Sequence, residues 1–244
     1  MVEEWHIVLQ RIMSVERTLH LQVASRDGIG PLALVFDTLI CGGCSGRNQA
    51  AIERHVEELR AHGLQAPRQT PIFFKVSTHQ ALTESIVEVQ TGHTSGEVEF
   101  VLLCVAGALQ WVTVGSDHTD RDMERHSIAG SKQMYPKILA PTVWPLAEVL
   151  PHWDALILRS WVYIDGERRP YQEDTLQAML APADLLAGVN REYGATALQR
   201  AIIFSGTIAT LGGELQFGER FEIELLDPVL GRRIQHSYMV QLLE

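Results

Sequence analysis

Three acidic residues near the middle of the chain have the types and spacing to hold a divalent cation. Glu97 and Glu99 are two positions apart, so in a strand their side chains project from one face, roughly 6–7 Å apart along the chain. The apolar run Phe100–Val105 that follows is typical of a buried strand. Asp117 ends a second apolar run, just before a predicted helix, and adds a third carboxylate. On these residues alone, a solvated strand face with two alternating acids stays an open alternative.

The donor atoms predict which ion such a site would take. Carboxylate oxygens without a regularly spaced Cys/His cluster favour a hard ion, Mg²⁺ or Mn²⁺ before zinc, with Ca²⁺ second. Cys41 and Cys44 have the spacing of a redox or zinc motif, but no second such pair exists in the sequence. We interpret them as small residues in a turn, and the odd cysteine count as reduced thiols of a cytoplasmic protein.

A histidine and a glutamate upstream have the spacing of a general base. His55 and Glu58 are three residues apart in a predicted helix over Asn48–His62, so they are neighbours on its surface. A carboxylate that contacts an imidazole fixes its tautomer and raises its basicity, as activation of water requires. Two alternatives stay open: a helical metal site that adds His62, and an exposed polar flank.

Lysine is rare, and two lysines lie just after the acidic corner. The 20 basic residues include only Lys75, Lys132 and Lys137 as lysines. A compact ammonium beside a metal can stabilise a developing enolate. A compositional bias toward arginine would explain the scarcity of lysine but not the clustering of this pair.

Hydrophobic patterning predicts the elements that must position these residues. Short apolar and β-branched runs predict strands at Ile72–Val76, Ser85–Val89, Val98–Val105, Leu109–Gly115, Trp153–Tyr163, Phe221–Leu226 and Ile234–Leu242. Helical periodicity or capping signals predict helices at Asn48–His62, Asp120–Ile128, Asp174–Leu180 and Pro182–Val189. Thr119, with Asp122 three residues on, is nearly a capping box for the second of these. The chain is therefore predicted to be mostly β (α+β), with a small N-terminal segment over 1–70 and a β-rich catalytic domain over 71–244.

Composition excludes several classes of function. The 244-residue chain carries a net charge of −10 and has no basic run, which disfavours binding to nucleic acid or to an acidic membrane surface. It opens with acidic residues where a signal peptide would be basic, and no apolar stretch approaches the ~20 residues needed to span a bilayer. We therefore expect a cytoplasmic protein.

In chain order, the motifs resemble the fumarylacetoacetate hydrolase superfamily. They are Gly46-Arg47-Asn48, His55-Val56-Glu57-Glu58, Pro71–Lys75, Glu97-Val98-Glu99, Gly115–Asp122, Lys132 and Ser205-Gly206-Thr207. The resemblance covers roughly residues 40 to 244, and in finer detail the sequence is similar to an uncharacterised bacterial branch of that superfamily. It implies a mixed β-sandwich roll with a few short helices, and a homodimer.

The resemblance also implies roles for eight residues. They are the metal ligands Glu97, Glu99 and Asp117, the water-activating pair His55 and Glu58, the enolate-stabilising Lys132, and the substrate contacts Arg121 and Thr207. The implied activity is metal-dependent hydrolysis of a C–C bond in a 1,3-dicarbonyl or acylpyruvate-like small oxo acid. One alternative is a lyase, meaning a decarboxylase, hydratase or tautomerase, that uses the same enolate. Another is a metal-dependent small-molecule binding protein without turnover.

Overall fold

The fold is built mainly from strands. The computed structural model describes residues 15–50, 52, 57 and 69–243 of the chain. Its strands are β1 (Arg17–Ser25), β2 (Gly28–Phe36), β3 (Thr38–Gly43), β4 (Ile72–Val76), β5 (Ala81–Leu82), β6 (Ile86–Val89), β7 (Thr94–Ser95), β8 (Val98–Val105), β9 (Ala108–Asp117), β10 (Thr119–Asp120), β11 (Lys137–Leu139), β12 (Thr142–Pro145), β13 (Ile157–Ile164), β14 (Glu167–Thr175), β15 (Arg200–Phe204), β16 (Arg220–Asp227) and β17 (Arg232–Leu242).

The helices with complete bounds in the described residues are short. They are α1 (Arg121–His126), α2 (Ile128–Met134), α3 (Leu146–Val149) and α4 (Pro182–Tyr193), with 3₁₀ turns at Thr78–Gln80, Leu150–Ala155, Leu176–Ala178 and Ala195–Leu198. In the predicted helix over Asn48–His62, the residues Gln49, Ala50, Ile52 and Glu57 are helical, and most of the others lie outside the described residues. None of the described helices is long and apolar enough to cross a membrane.

Two larger sheets carry the architecture. Sheet I has ten strands, in the order β2-β1-β12-β9-β8-β15-β3-β4, with β11 pairing both β9 and β5. Sheet II has five strands, in the order β14-β13-β16-β17-β6, and β7 pairs β10 separately. The first three strands of the chain are thus joined to later strands in sheet I, and the predicted division at residue 70 stays a prediction.

Strand β8 is buried on both faces, as its unbroken apolar run predicts. Alternate side chains on a strand point to opposite faces. Phe100 and Leu102 pack in the largest core cluster, together with Leu158 and other residues of sheet II. Val101 and Leu103 pack in a second cluster, with residues of β1, β2, β3 and β15. The odd-numbered residues that precede them, Glu97 and Glu99, are therefore expected on the side of the second cluster.

The expectation of a mostly β fold with few helices is confirmed, whereas the finer sandwich-roll arrangement stays a prediction. The helix expected over Asp174–Leu180 is wrong. Strand β14 continues to Thr175, which pairs with Ile157 of β13, and only Leu176–Ala178 forms a 3₁₀ turn. Cross-strand pairing overrides the local helical pattern here.

Candidate metal centre

The three acidic residues form one buried cluster where β8 begins and β9 ends. One carboxylate oxygen from each of Glu97, Glu99 and Asp117 lies within 4.8 Å of the others. Glu99 and Asp117 are fully buried, and the Glu97 side chain is 14% exposed. The solvated strand face that the sequence left open is therefore excluded for Glu99, and three carboxylates share one site.

Strand pairing explains why these carboxylates meet. Antiparallel pairing places Glu99 opposite Gly115, two residues before Asp117 on β9. A Cβ at Gly115 would lie 2.6 Å from the Phe204 ring and 2.8 Å from the carbonyl oxygen of Ile138. The close packing at Gly115 therefore leaves no space for a side chain beside Glu99.

The segment that follows β15 hydrogen-bonds to Glu99. The backbone N–H of Gly206 donates to Glu99 Oε2 at 2.7 Å. Gly206 has φ +87°, a left-handed conformation that favours glycine, and a Cβ there would collide with Ser45 Oγ. Gly206 thus supplies a backbone donor to the acid cluster where no side chain fits.

Replacing Gly206 by alanine is expected to cost about 1–3 kcal/mol of unfolding free energy, because the Cβ adds overpacking and strain. The backbone must shift away from Ser45, so the variant should also bind Mg²⁺ more weakly in calorimetry. Gly212→Ala is the matched control, because a Cβ there meets no atom of the described residues within 4 Å. A Gly206→Ala protein with unchanged Mg²⁺ affinity would show that this donor does not orient Glu99.

Three cationic side chains surround the acids. Lys132 of α2 lies 2.6 Å from Asp117 Oδ2 and 2.9 Å from Glu97 Oε2. Lys137 of β11 is paired across the ladder with Asp117, and its Nζ lies 2.6 Å from Asp117 Oδ1. Arg121 of α1 donates to Glu97 Oε1 at 3.0 Å. Lys137 is one of the two lysines expected near the acidic corner, but its contact with Asp117 could not be predicted, because the cross-strand pairing that creates it is a tertiary feature.

The local elements that carry these cations begin at side-chain caps. The expected cap of α1 at Thr119 is wrong: Asp120 is the N-cap, and its side chain accepts from the Met123 N–H. Ser127 caps α2 in the same way, through the Gly130 N–H. The two short helices therefore start at fixed points, and they place Arg121 and Lys132 over the same carboxylate, that of Glu97.

Electrostatics divides the acids into two kinds. Burial raises the pKa of Glu97, but Lys132 and Arg121 outweigh burial and lower the pKa to about 2. Burial, followed by the charge of Asp117, raises the pKa of Glu99 well above its usual value. Glu97 is therefore a stable carboxylate in the folded protein, whereas Glu99 has no cation within salt-bridge distance among the described residues.

An unpartnered carboxylate oxygen fits a cation. Glu99 Oε1 is buried and accepts no hydrogen bond from the described residues, whereas Asp117 Oδ2 has the Lys132 ammonium at 2.6 Å. A buried carboxylate oxygen without a donor is costly, and a divalent ion would satisfy it. Oxygen donors alone suit Mg²⁺, Mn²⁺ or Ca²⁺. The residues present therefore fit the ion that the sequence predicts.

The two predicted substrate contacts, Arg121 and Thr207, differ in whether they have a hydrogen-bond donor available. Arg121 is 6% exposed, and its Nη2 has no hydrogen-bond partner among the described residues. Thr207 Oγ1 donates to the Val98 carbonyl at 2.8 Å and accepts from Gln172 Nε2 at 2.8 Å. Arg121 thus retains donor capacity, whereas the Thr207 hydroxyl already donates to the backbone. The predicted pair His55 and Glu58 lies outside the described residues.

His118 is a buried histidine next to the cluster and is not one of the predicted site residues. Its Nδ1 lies 3.1 Å from the Tyr238 hydroxyl, and its ring makes edge contacts with Phe221 and Tyr238. Burial, with the nearby Lys137, lowers the pKa of His118 to about 3. It is a neutral core residue at physiological pH, and its carbonyl accepts from Lys137 Nζ at 3.1 Å.

The fold is similar to that of several solved enzymes. A putative fumarylpyruvate hydrolase from Burkholderia cenocepacia aligns with a TM-score of 0.58 at 18% identity, over 95% of this chain and 96% of that one. A 2-keto-3-deoxy-D-arabinonate dehydratase complexed with magnesium and 2,5-dioxopentanoate aligns with a TM-score of 0.61 at 12% identity, over 86% of this chain and 74% of that one. A 4-oxalocrotonate decarboxylase from Pseudomonas putida G7, complexed with calcium and acetate, aligns with a TM-score of 0.53 at 14% identity, over 82% of this chain and 76% of that one.

These likenesses, at 18% identity or less, show a shared β-rich fold. In sequence, residues 42–238 match the family described as "Protein of unknown function (DUF2848)", and the chain belongs to that family. Comparison with curated proteins gives no match.

Proposed function

We propose that this protein is a metal-dependent hydrolase that cleaves a C–C bond in a 1,3-dicarbonyl or acylpyruvate-like small acid. The observation that carries the proposal is the buried cluster of Glu97, Glu99 and Asp117, in which Glu99 Oε1 has no partner among the described residues and a lysine and an arginine lie beside the acids. Its fold is shared with solved structures whose names describe a fumarylpyruvate hydrolase, a dehydratase and a decarboxylase of oxo acids.

The three acids would hold the ion, Mg²⁺ or Mn²⁺ before Ca²⁺. When bound, it would supply Lewis-acid stabilisation of negative charge on substrate oxygens. The Nη2 of Arg121, the donor without a partner among the described residues, is oriented by bonds from Nε to Ser95 and from Nη1 to Glu97, and it can bind a substrate carboxylate or carbonyl. The Lys132 ammonium is the nearest movable cation to the acids and can stabilise an enolate oxygen.

In the proposed reaction, His55, oriented by Glu58, takes a proton from water as the oxygen adds to the distal carbonyl carbon. The C–C bond then breaks, and its electron pair stays with the methylene carbon as an enolate. Protonation of that carbon gives the ketone product, and the other product is a carboxylate. A general base of this kind typically contributes about 10²–10⁴-fold to the rate.

The first experiment combines a metal titration with a substrate screen. Calorimetry on chelator-treated protein should show one Mg²⁺ or Mn²⁺ per chain, and acylpyruvates and 3-oxo acids should then be turned over only with the ion present. With an active substrate in hand, His55→Gln should lower kcat by about 10²–10⁴-fold while the metal affinity stays unchanged. Absence of binding by either ion, even with oxalate present, would contradict metal dependence.

A lyase that uses the same enolate is the second candidate. The described part of the site, the acids with Lys132 and Arg121, suits any reaction that passes through an enolate. Two solved structures of similar fold are named as a dehydratase and a decarboxylase, which supports the lyase. Turnover that survives His55→Gln but is lost in Glu99→Gln would select the lyase. Ligand binding that depends on Glu97 and Asp117, with no product in any assay, would select the non-catalytic binding protein.

A further inference from the structure

The ammonium of Lys132 lies inside the acid cluster. Its Nζ is 2.6 Å from Asp117 Oδ2 and 2.9 Å from Glu97 Oε2, so it bridges two of the three carboxylates. The side chain is 7% exposed. Both of these carboxylates belong to the group whose oxygens converge within 4.8 Å. Lys132 therefore interacts with the same carboxylates that a divalent ion would need.

Lys137 contacts Asp117 in a different way. It lies 2.6 Å from the other oxygen, Oδ1, and donates to the carbonyl of His118 at 3.1 Å. Lys137 is fully buried and belongs to β11, whose backbone pairs with β9. Lys137 is thus a fixed counter-ion that leaves Asp117 Oδ2 free, whereas Lys132 is the cation on Oδ2.

Two of the three carboxylates already have cationic partners without a metal. Three cations, Lys132, Lys137 and Arg121, contact two of the carboxylates, those of Glu97 and Asp117. Arg121 is also paired with Glu124 at 2.8 Å, and Glu99 contacts no cation among the described residues. A divalent ion placed among the same oxygens would face an ammonium at contact distance in a buried site, where like charges repel strongly. A lysine has a flexible four-carbon stem, so Lys132 can leave Asp117 by side-chain rotation, whereas Lys137 is held on β11 and donates to the His118 carbonyl.

We propose that Lys132 is a tethered counter-ion: its ammonium occupies Asp117 Oδ2 in the metal-free protein and has to leave that oxygen for the divalent ion to bind. This inference rests on the proposed metal site and adds a coupling to it. Lys132 becomes available to an enolate oxygen of the substrate only when the site holds the ion. The metal affinity of the free protein is lowered, because Lys132 must first leave Asp117.

The test is Mg²⁺ and Mn²⁺ titration calorimetry, without substrate, on the wild type, Lys132→Met and Lys137→Met. If the state with Lys132 turned away is a tenth or less of the metal-free population, Lys132→Met should tighten metal binding about tenfold or more. Lys137→Met removes a cation equally close to Asp117 and controls for the loss of positive charge alone. Its affinity should change several-fold less than that of Lys132→Met.

The outcomes separate this inference from the metal site itself. A wild type that binds metal, with Lys132→Met no tighter or with both variants tightened equally, overturns the tethered counter-ion and leaves the metal site intact. A wild type without measurable binding, beside a Lys132→Met variant that binds, supports it. If neither binds either ion at millimolar concentration, the metal site and the inference both fail.

A second measurement does not depend on the folding of any variant. In a crystal structure of the metal-loaded wild type, Lys132 Nζ should lie beyond about 4 Å from Asp117 Oδ2, outside salt-bridge distance, while Lys137 stays on Oδ1. A loaded structure that keeps Lys132 Nζ bonded to Asp117 Oδ2 would overturn the proposal.

Discussion

Replacing Glu99 by glutamine is expected to stabilise the metal-free protein and to abolish most of its metal binding. Burial and the charge of Asp117 raise the pKa of Glu99, so an ionised Glu99 costs folding free energy. Glutamine keeps the shape without the charge and should raise the unfolding free energy by about 1–2 kcal/mol, as removal of a strained functional group commonly does. The same change removes a ligand, and Mg²⁺ affinity should fall at least about 100-fold. Urea unfolding with a chelator, and calorimetry, measure the two effects.

Glu224→Gln is the matched control for this prediction. Glu224 is 2% exposed, like Glu99, but it accepts from Gln235 at 2.6 Å and lies 3.5 Å from Arg159. Its replacement should lower stability and leave metal affinity unchanged. The stability gain of Glu99→Gln should also shrink as the pH falls, because protonation of Glu99 in the wild type removes the same buried charge. Equal destabilisation by both replacements would mean that Glu99 is a structural residue.

Much of the strand pattern could be predicted from the sequence, because it depends on local period and turn residues. The Ala106-Gly107 pair, with positive φ at both positions, closes the hairpin between β8 and β9 as its sequence suggests. The failed helix at Asp174–Leu180 is a case in which a partner strand decided the structure. Nothing in the local sequence shows that Thr175 has β13 beside it.

In the candidate site too, some features follow from the local sequence and others depend on tertiary contacts. Convergence of Glu97 and Glu99 follows from the two-residue period of a strand, and Asp117 follows from its place at the end of β9. The contributions of Lys137 and Gly206 depend on strand register and on a close backbone approach, which one sequence does not reveal. The contrast between Glu97 and Glu99 is likewise tertiary, since it depends on which acid Lys132 and Arg121 reach.

Asp117→Asn should have the opposite effect on stability from Glu99→Gln. Asp117 lies 2.6 Å from both Lys132 and Lys137, and neither lysine has much access to water. Removal of one partner from a buried ion pair typically costs about 3–5 kcal/mol, because the other charge is left uncompensated. Urea unfolding of the metal-free variant measures this loss. Asp122→Asn is the control, because Asp122 is half exposed and should change stability by no more than about 0.5 kcal/mol.

A double-mutant cycle tests whether the stability loss in Asp117→Asn comes from charge rather than from packing. Because Lys137 is fully buried on Asp117 Oδ1, Lys137→Met removes a cation that Asp117→Asn would leave unpaired. The double variant should therefore be more stable than the sum of the two single losses predicts, by about 1–3 kcal/mol of coupling. It should still bind no Mg²⁺, because the coupling recovers part of the stability without returning the carboxylate ligand of residue 117. Strict additivity of the two losses in unfolding free energy would mean that Asp117 and Lys137 act independently. The buried lysine would then not be needed to compensate the charge of Asp117.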